Sequence, residues 1–254
     1  MAGKVAIPNA EPGAPPFVLL DDGRIRGAAA ARLFLDPVEL LTARSVADVP
    51  ELLSALAAAR GRGLYAAGYL GYEAGKALEP AWRGALDTTV VASMPHGWFG
   101  LFERVERIDA DAVPAMLPDP AAAWVGPVAP RMSRADYIAT VEAVLALIDA
   151  GDIYQANLTF RADVPFVGDP LAVYARLRRT ARAGYGGFVW TGEQTIASLS
   201  PELFFALRSN EVMARPMKGT AARVADPDAD RRTRAALADD PKQRAENLMI
   251  VDLI

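Results

Sequence analysis

The sequence predicts an α+β protein: antiparallel β-sheets with helices packed on their outer faces. Three observations carry that prediction. Short apolar runs bounded by turn residues recur between 186 and 217, as in strands joined by tight turns. Amphipathic stretches with start and stop signals flank them at 48–63, 133–151, 169–184 and 226–254. Sheets and helices that each carry one apolar face must bury it against each other, which gives the layered arrangement.

Taken in order, residues 1–16 are rich in Pro, Ala and Gly and are expected to be frayed. "FVLLDD" (17–22) reads as a strand ending in a turn. "DVPELLSALAAARGRG" (48–63) reads as a helix, with Asp48 as cap, Pro50 near the first helical position, and Gly61 and Gly63 as stops. The small and aromatic residues of "LYAAGYLGYEAG" (64–75) suit a tightly packed strand followed by a turn. "TTVVASM" (88–94) and "GWFGLFERVERI" (97–108) continue the β pattern, so 17–108 reads as a β-rich N-terminal subdomain. Residues 109–132 are proline-rich and read as a linker or long surface crossing.

From 133 to 254 the pattern sharpens. "SRADYIATVEAVLALIDAGD" is a helix with Ser133 and Asp136 in capping-box positions and Gly151 as its stop. Its apolar stripe is Tyr137, Ile138, Val141, Val144, Leu145 and Ile148. "YQANLTFRADVPF" (154–166) reads as a strand and "DPLAVYARLRRTARAG" (169–184) as a second helix begun at Pro170. Short strands follow at 186–192, 194–200, 203–210 and 211–217, with Ser209-Asn210 as a hairpin tip. The charged stretch 226–240 is a helix. A last helix starts with Asp240 as cap, Pro241 as first residue and Gln243 at the capping-box position. It is apolar from Leu248 on, so it is expected to be buried, and it reaches Ile254 without a cap, so the chain is expected to stop mid-helix.

Composition bounds the chemistry. Of 254 residues 52% are apolar and 23% charged, with a net charge of −4, which suits a globular protein with a sizeable core. The basic residues are scattered, so no nucleic-acid surface is expected. Cysteine is absent, which excludes thiolate nucleophiles, disulfides and cysteine-based metal sites. The single histidine, His96, lies among turn formers and aromatics in "SMPHGWFG" and reads as structural. Neither a signal-peptide core nor an 18-residue apolar run is visible, so a cytoplasmic protein without a membrane span is expected.

One group of residues could carry chemistry. By period-two alternation Val212, Ala214, Pro216 and Lys218 share one face of "EVMARPMK", so Lys218 leaves an apolar strand face. Desolvation there would favour a neutral, nucleophilic amine. Glu202, between "SLSP" and "LFFAL", sits at the same end of the preceding strand, where burial would favour a protonated acid. "MKGT" is not a phosphate loop, because position 213 is methionine rather than glycine. On the last helix Glu246 shares a face with Met249, Ile250 and Leu253. From these residues alone, Lys218 is a solvated strand end or a nucleophile, and Glu202 is a turn residue or an acid. Glu246 is a core-paired carboxylate or a hard-metal ligand. Asp252, in "LMIVDLI", reads as a structural hydrogen-bonding group.

Four strings, "GDIYQANLTFR" (151–161), "SLSPELFF" (198–205), "RPMKGT" (215–220) and "RAENLMIVDLI" (244–254), occur in the order and spacing of the chorismate-utilising enzyme family, which the chain resembles. The resemblance covers most of the chain and is strongest from about 130 to 254. It favours the aminodeoxychorismate synthase component I branch, which makes 4-aminobenzoate for folate. That branch has a P-I-K-G-T motif, matched by Pro216-Met217-Lys218-Gly219-Thr220 with Met for Ile, where anthranilate and isochorismate synthases typically have alanine for the lysine.

The resemblance implies a fold like anthranilate synthase component I, with 133–254 as the N-terminal half of a C-terminally truncated chorismate-binding domain. In the implied reaction Lys218 adds to C2 of chorismate while Glu202 protonates the departing C4 hydroxyl. Ammonia from a glutamine amidotransferase partner then enters at C4 and expels the lysine. Gly219 and Thr220 would offer donors to the substrate, and Glu246 would be a Mg²⁺ ligand. "FVLLDD" lacks the serine and glutamate often found in the family's first motif, so tryptophan regulation is not carried over. The family's R-N-D segment after the last helix is absent, so little turnover by this chain is expected. Two other readings stay open: an anthranilate or isochorismate synthase-type enzyme, and a non-catalytic fragment that only binds a ligand or partner. The apolar last helix also implies self-association.

Overall fold

The computed structural model describes residues 6–79 and 94–253, the last two through their backbone only. The strand expected over 88–94 lies outside them except for Met94, as does Ile254, and the side chains of Asp252 and Leu253 lie outside them too. In chain order the first half holds β1 (Phe17–Asp21), β2 (Ala31–Phe34), β3 (Glu39–Ala43) and α1 (Val49–Gly61), then β4 (Tyr65–Leu70), α2 (Gly75–Leu78), β5 (Gly97–Phe102) and β6 (Glu106–Ile108). After them come α3 (Val113–Met116), β7 (Ala123–Val125), β8 (Ala129–Pro130), α4 (Arg134–Ala150), β9 (Ala162–Asp163) and β10 (Phe166–Gly168). The chain continues through α5 (Pro170–Ala181), β11 (Tyr185–Trp190), β12 (Thr195–Ser200), β13 (Leu203–Arg208), β14 (Glu211–Arg215), α6 (Pro227–Asp239) and α7 (Pro241–Leu253).

The body is a stack of layers, with antiparallel sheets inside and helices outside. The larger sheet has the order β12-β11-β1-β2-β6, and the smaller β3-β5-β4. Alternation along β1 explains how they stack. Phe17 and Leu19 point one way, into a cluster with Leu33, Phe188 and Trp190 and with Leu171 and Tyr174 of α5. Val18 points the other way and meets Ala67, Trp98 and Phe102 of the smaller sheet, together with Phe34 and Val189. The smaller sheet is covered on its far side by α1, where Val49 and Leu52 meet Ala43 and Ala74. Strands buried on both faces read as unbroken apolar runs rather than alternating ones, as "FVLL" and "GGFVW" do. Gly68 marks the closest approach in the smaller sheet, since a methyl group there would strike the Trp98 carbonyl.

Several expectations are corrected. Residues 6–16 are not loose: Ala10 is buried in the β1 cluster, Ile7 packs against it, and the Trp190 indole N–H donates to the Ala14 carbonyl at 3.0 Å. Segment 109–132 is more than a linker, because α3 sends Val113 into the core and β7 pairs with β10. Nor does it separate two sheets: β1 pairs with β11 from Phe17↔Trp190 to Asp21↔Gly186. The stretch 97–108 is two strands in different sheets rather than one. Asp48 does not cap α1 with its side chain. Its carboxylate instead accepts the Arg44 and Ser45 N–H groups of the preceding turn, at 3.0 and 2.8 Å.

Of 154–166 only Ala162, Asp163 and Phe166 are strand; the Arg161 carbonyl accepts the Arg131 N–H at 2.8 Å, but no strand ladder extends over 154–161 among the described residues. The apolar stripe of α4 is only partly covered: Tyr137, Ile138 and Leu145 are exposed, Tyr137 meeting Phe160 edge-to-face, and Val141, Val144 and Ile148 are half-buried, although the ends of the helix form as expected. Ser133 Oγ accepts the Asp136 N–H and Gly151 adopts φ 82°.

One buried ion pair fixes α5 to the sheet. Asp21, with a side chain 1% exposed, accepts from Arg178 Nε at 2.5 Å and Nη2 at 3.1 Å, and from the Tyr174 hydroxyl at 3.2 Å. Burial, then the Asp21 carboxylate, pushes the Tyr174 phenol well above its usual range, so it stays a donor. Beside it, burial alone would raise the Asp22 carboxyl. The Arg24 guanidinium and the Ala29 and Arg24 N–H groups outweigh burial and hold it below the usual range.

Removing one member of a buried pair strands the other, at a loss of about 3–5 kcal/mol. Arg178→Met is therefore expected to lower stability by about 3 kcal/mol or more in urea denaturation, and a change under about 1 kcal/mol contradicts this role. Asp22 contributes stability in full above the unfolded carboxyl's value of 3.8 and loses it as pH falls through its lower folded value. Acid titrations followed by circular dichroism should show Asp22→Asn less stable than wild type at neutral pH, with the gap closing below about pH 4.

Candidate functional site

The candidate residues gather where the β13–β14 hairpin meets α7. The hairpin turns at Ser209-Asn210, with Ser209 at φ 55° and Arg208 opposite Glu211. Pairing runs to Leu203↔Arg215, with a bulge between Leu203 and Ala206 that places Phe204 and Phe205 in edge-to-face contact. β14 stops at Arg215 because Pro216 has no N–H to continue the ladder. The next N–H, that of Met217, is taken instead by the Glu202 carboxylate, at 2.9 Å from Oε1. Glu202 is braced from behind, since its N–H donates to Ser200 Oγ and that hydroxyl donates to the Glu202 carbonyl.

From the other side α7 approaches the same turn. Asp240 caps the helix through the Gln243 N–H at 2.9 Å, as expected. Gln243 does not complete a capping box; its side chain lies under Gly219 and its Oε1 has no partner among the described residues. Asn247 Nδ2 donates to the Lys218 carbonyl at 3.4 Å. Glu246 is half-buried, as are Met249 and Ile250 on its face, whereas Leu248 and Val251 are 63% exposed.

The structure thus brings Glu202 beside the Lys218 backbone and sets the helix of Glu246 against the same turn. No ion pair among the described residues joins Lys218 to Glu202 or Glu246. Thr220 is exposed. The apolar environment expected from alternation is not formed: Val212 is 71% exposed, Glu202 is exposed and Lys218 half-buried. The hairpin is a two-stranded sheet of its own, so among the described residues no further strand pairs with either edge. The exposure of Leu248 and Val251 corrects the expected burial of α7 in the same way. His96 serves through its backbone, accepting from Gly71 N and donating to the Ala43 carbonyl. Sequence reasoning missed Ser200, Gln243 and Asn247 as supports. A serine two residues before a glutamate was the available sign for the first.

Comparison with known proteins adds the following. A model for the chorismate binding enzyme family matches residues 21–254. Aminodeoxychorismate synthase component 1 of Klebsiella aerogenes is 42% identical over 124 residues, which is 49% of this chain and 28% of that protein. Anthranilate synthase component 1 of Thermus thermophilus is 36% identical over 121 residues, 48% of this chain and 26% of that protein. The chain therefore spans under a third of these relatives in the matched region. A crystal structure described as a 2,3-dihydroxybenzoate-specific isochorismate synthase from Bacillus anthracis shares the fold, with a TM-score of 0.64 and 19% identity over 94% of this chain and 58% of that one.

If the Glu202 carboxylate holds the Met217 amide, removing it exposes that N–H. Hydrogen exchange should be at least tenfold faster at Met217 in Glu202→Ala than in wild type, with Glu202→Gln close to wild type because its carbonyl oxygen can still accept. Equal exchange in all three proteins rules out the contact.

Proposed function

The chain belongs to the chorismate binding enzyme family, and we propose that it carries the lysine and acid of an amination of chorismate to 4-amino-4-deoxychorismate. The observation that supports this best is the Glu202–Met217 bond, which keeps a carboxyl group one residue from Lys218. The lysine nitrogen bonds to C2, both ring double bonds shift round the ring toward C4, and the C4 hydroxyl leaves as water with a proton from Glu202. The proton lost from nitrogen goes to solvent. Ammonia then bonds to C4 and gives up a proton, both double bonds shift back, and the lysine nitrogen takes up a proton and departs from C2 as the amine.

Gly219 and Thr220 would donate to the substrate from the backbone and hydroxyl. Glu246 would contribute to holding Mg²⁺. The described residues form no cluster of three acidic or histidine groups. Mg²⁺ is, however, commonly held by one or two carboxylates with waters and substrate oxygens, so a single half-buried carboxylate fits as one ligand. When bound, the ion would supply positive charge for a ring carboxylate. Relatives named component 1 support a second component, which in this proposal is a glutamine amidotransferase that supplies the ammonia. No helix among the described residues is long and apolar enough to cross a membrane. The exposed Leu248 and Val251 support self-association through α7, which light scattering would detect as a mass above that of the monomer.

Mass spectrometry after incubation with chorismate tests the chemistry. Without ammonium, Lys218 is expected to gain the mass of one chorismate less one water. With ammonium and Mg²⁺ the adduct discharges and 4-amino-4-deoxychorismate forms. Lys218→Ala should give neither, and Glu202→Gln should slow adduct formation about a hundredfold or more. Undiminished product from Lys218→Ala overturns the nucleophile. Anthranilate or isochorismate as the product overturns the branch.

A further inference from the structure

A side chain as long as lysine is aimed only as well as the backbone it leaves, and α7 grips the backbone around Lys218 at two points. Asn247 Nδ2 bridges the Lys218 carbonyl, at 3.4 Å, and the Gln243 carbonyl, at 2.9 Å. One helical turn earlier, Gln243 forms a floor beneath Gly219. A methyl group on Gly219 would stand 2.5 Å from Gln243 Oε1, 3.2 Å from Cδ and 3.3 Å from Cβ. Gly219 also has φ +75°, a conformation that glycine alone adopts freely. Contact from below and a left-handed turn together leave the 218–219 peptide little room to move.

Gln243 Oε1 sharpens the point. It is sealed from solvent and meets no donor among the described residues. Buried carbonyl oxygens are almost always hydrogen-bonded, so one left unpaired calls for an explanation. The glutamine contributes by its length and shape here rather than by a bond.

We propose that Gln243 and Asn247 are positioning residues for Lys218, Gln243 as a steric floor under Gly219 and Asn247 as a tether on the Lys218 carbonyl. The inference deepens the reading of Lys218 as nucleophile and rests on it for its purpose, but not for its geometry.

The test uses the purified chain and a limiting amount of an amine-acylating reagent, N-hydroxysuccinimidyl acetate. Peptide mass spectrometry reads the extent of labelling at Lys218 against Lys242. Lys242 is an exposed lysine on α7 next to Gln243, so it serves as an internal control for the helix. The Lys218 to Lys242 ratio is expected to change at least threefold in Gln243→Ala and in Asn247→Ala. It should stay within experimental error of wild type in Gln243→Met, which keeps the length of the side chain and loses only the unpaired amide. A merely structural loss would move both lysines or lower the helix content by circular dichroism, and either result counts against positioning. Gln243→Met behaving like Gln243→Ala, or unchanged ratios in both alanine variants, overturns the proposal. Lys218→Ala separates the two claims. Altered labelling with Lys218→Ala still active keeps the brace and removes the nucleophile, and unaltered labelling with Lys218→Ala inactive does the reverse.

Discussion

A carboxylate sealed from water has to be answered by donors, and Asp21 is answered from one helix. Arg178 meets both of its oxygens and Tyr174, one turn earlier, meets one of them. Since Asp21 ends β1 and both donors stand on α5, the pair sets the position of the helix along the strand. The rest of that layer follows. Leu171 and Tyr174 can then reach Phe17, Leu19 and Phe188, and the Arg178 guanidinium also reaches the Asp22 carbonyl where the chain leaves the sheet. Hydrophobic contact alone would let α5 slide by a turn, whereas a buried two-pronged ion pair has one good register.

The candidate site is built differently. Its groups are held by single hydrogen bonds between a hairpin, a turn and a helix, with much of their surface in water. Each support works through the backbone: Glu202 on the Met217 N–H, Asn247 on the Lys218 carbonyl, Gln243 against Gly219. The side chains that would meet a substrate are left free of one another. Such a division suits chemistry in which acid and nucleophile must turn toward a third molecule.

How much of this was legible in the sequence differs by scale. Helix starts and stops at Ser133, Gly151, Pro170 and Pro241 were readable, because capping and left-handed stops are decided by a few adjacent residues. Strand identity at 185–215 was readable for the same reason. Sheet membership was not. Nothing local in "GWFGLFERVERI" says that its ends belong to different sheets, or that "FVLL" pairs with "GGFVW". At the site, the nearness of Glu202 and Lys218 was legible from hairpin logic. Their surroundings were not, since alternation tells which residues share a face and leaves unsaid whether anything covers it. Val212, on the face that was to be apolar and buried, stands in water.

The pairing of Phe17 with Trp190 has a consequence for how the chain is made. On the ribosome β1 and β2 emerge well before β11, and β2 can join β1 at once along one edge. The other edge stays open until β11 follows. At about 5–20 residues per second that delay is on the order of ten seconds. For that time a strand with four consecutive apolar residues shows unpaired backbone to the cell, and Asp21 at its end has neither Arg178 nor Tyr174. A nascent chain of this kind is an early substrate for chaperones, and its completion is timed by synthesis rather than by collapse.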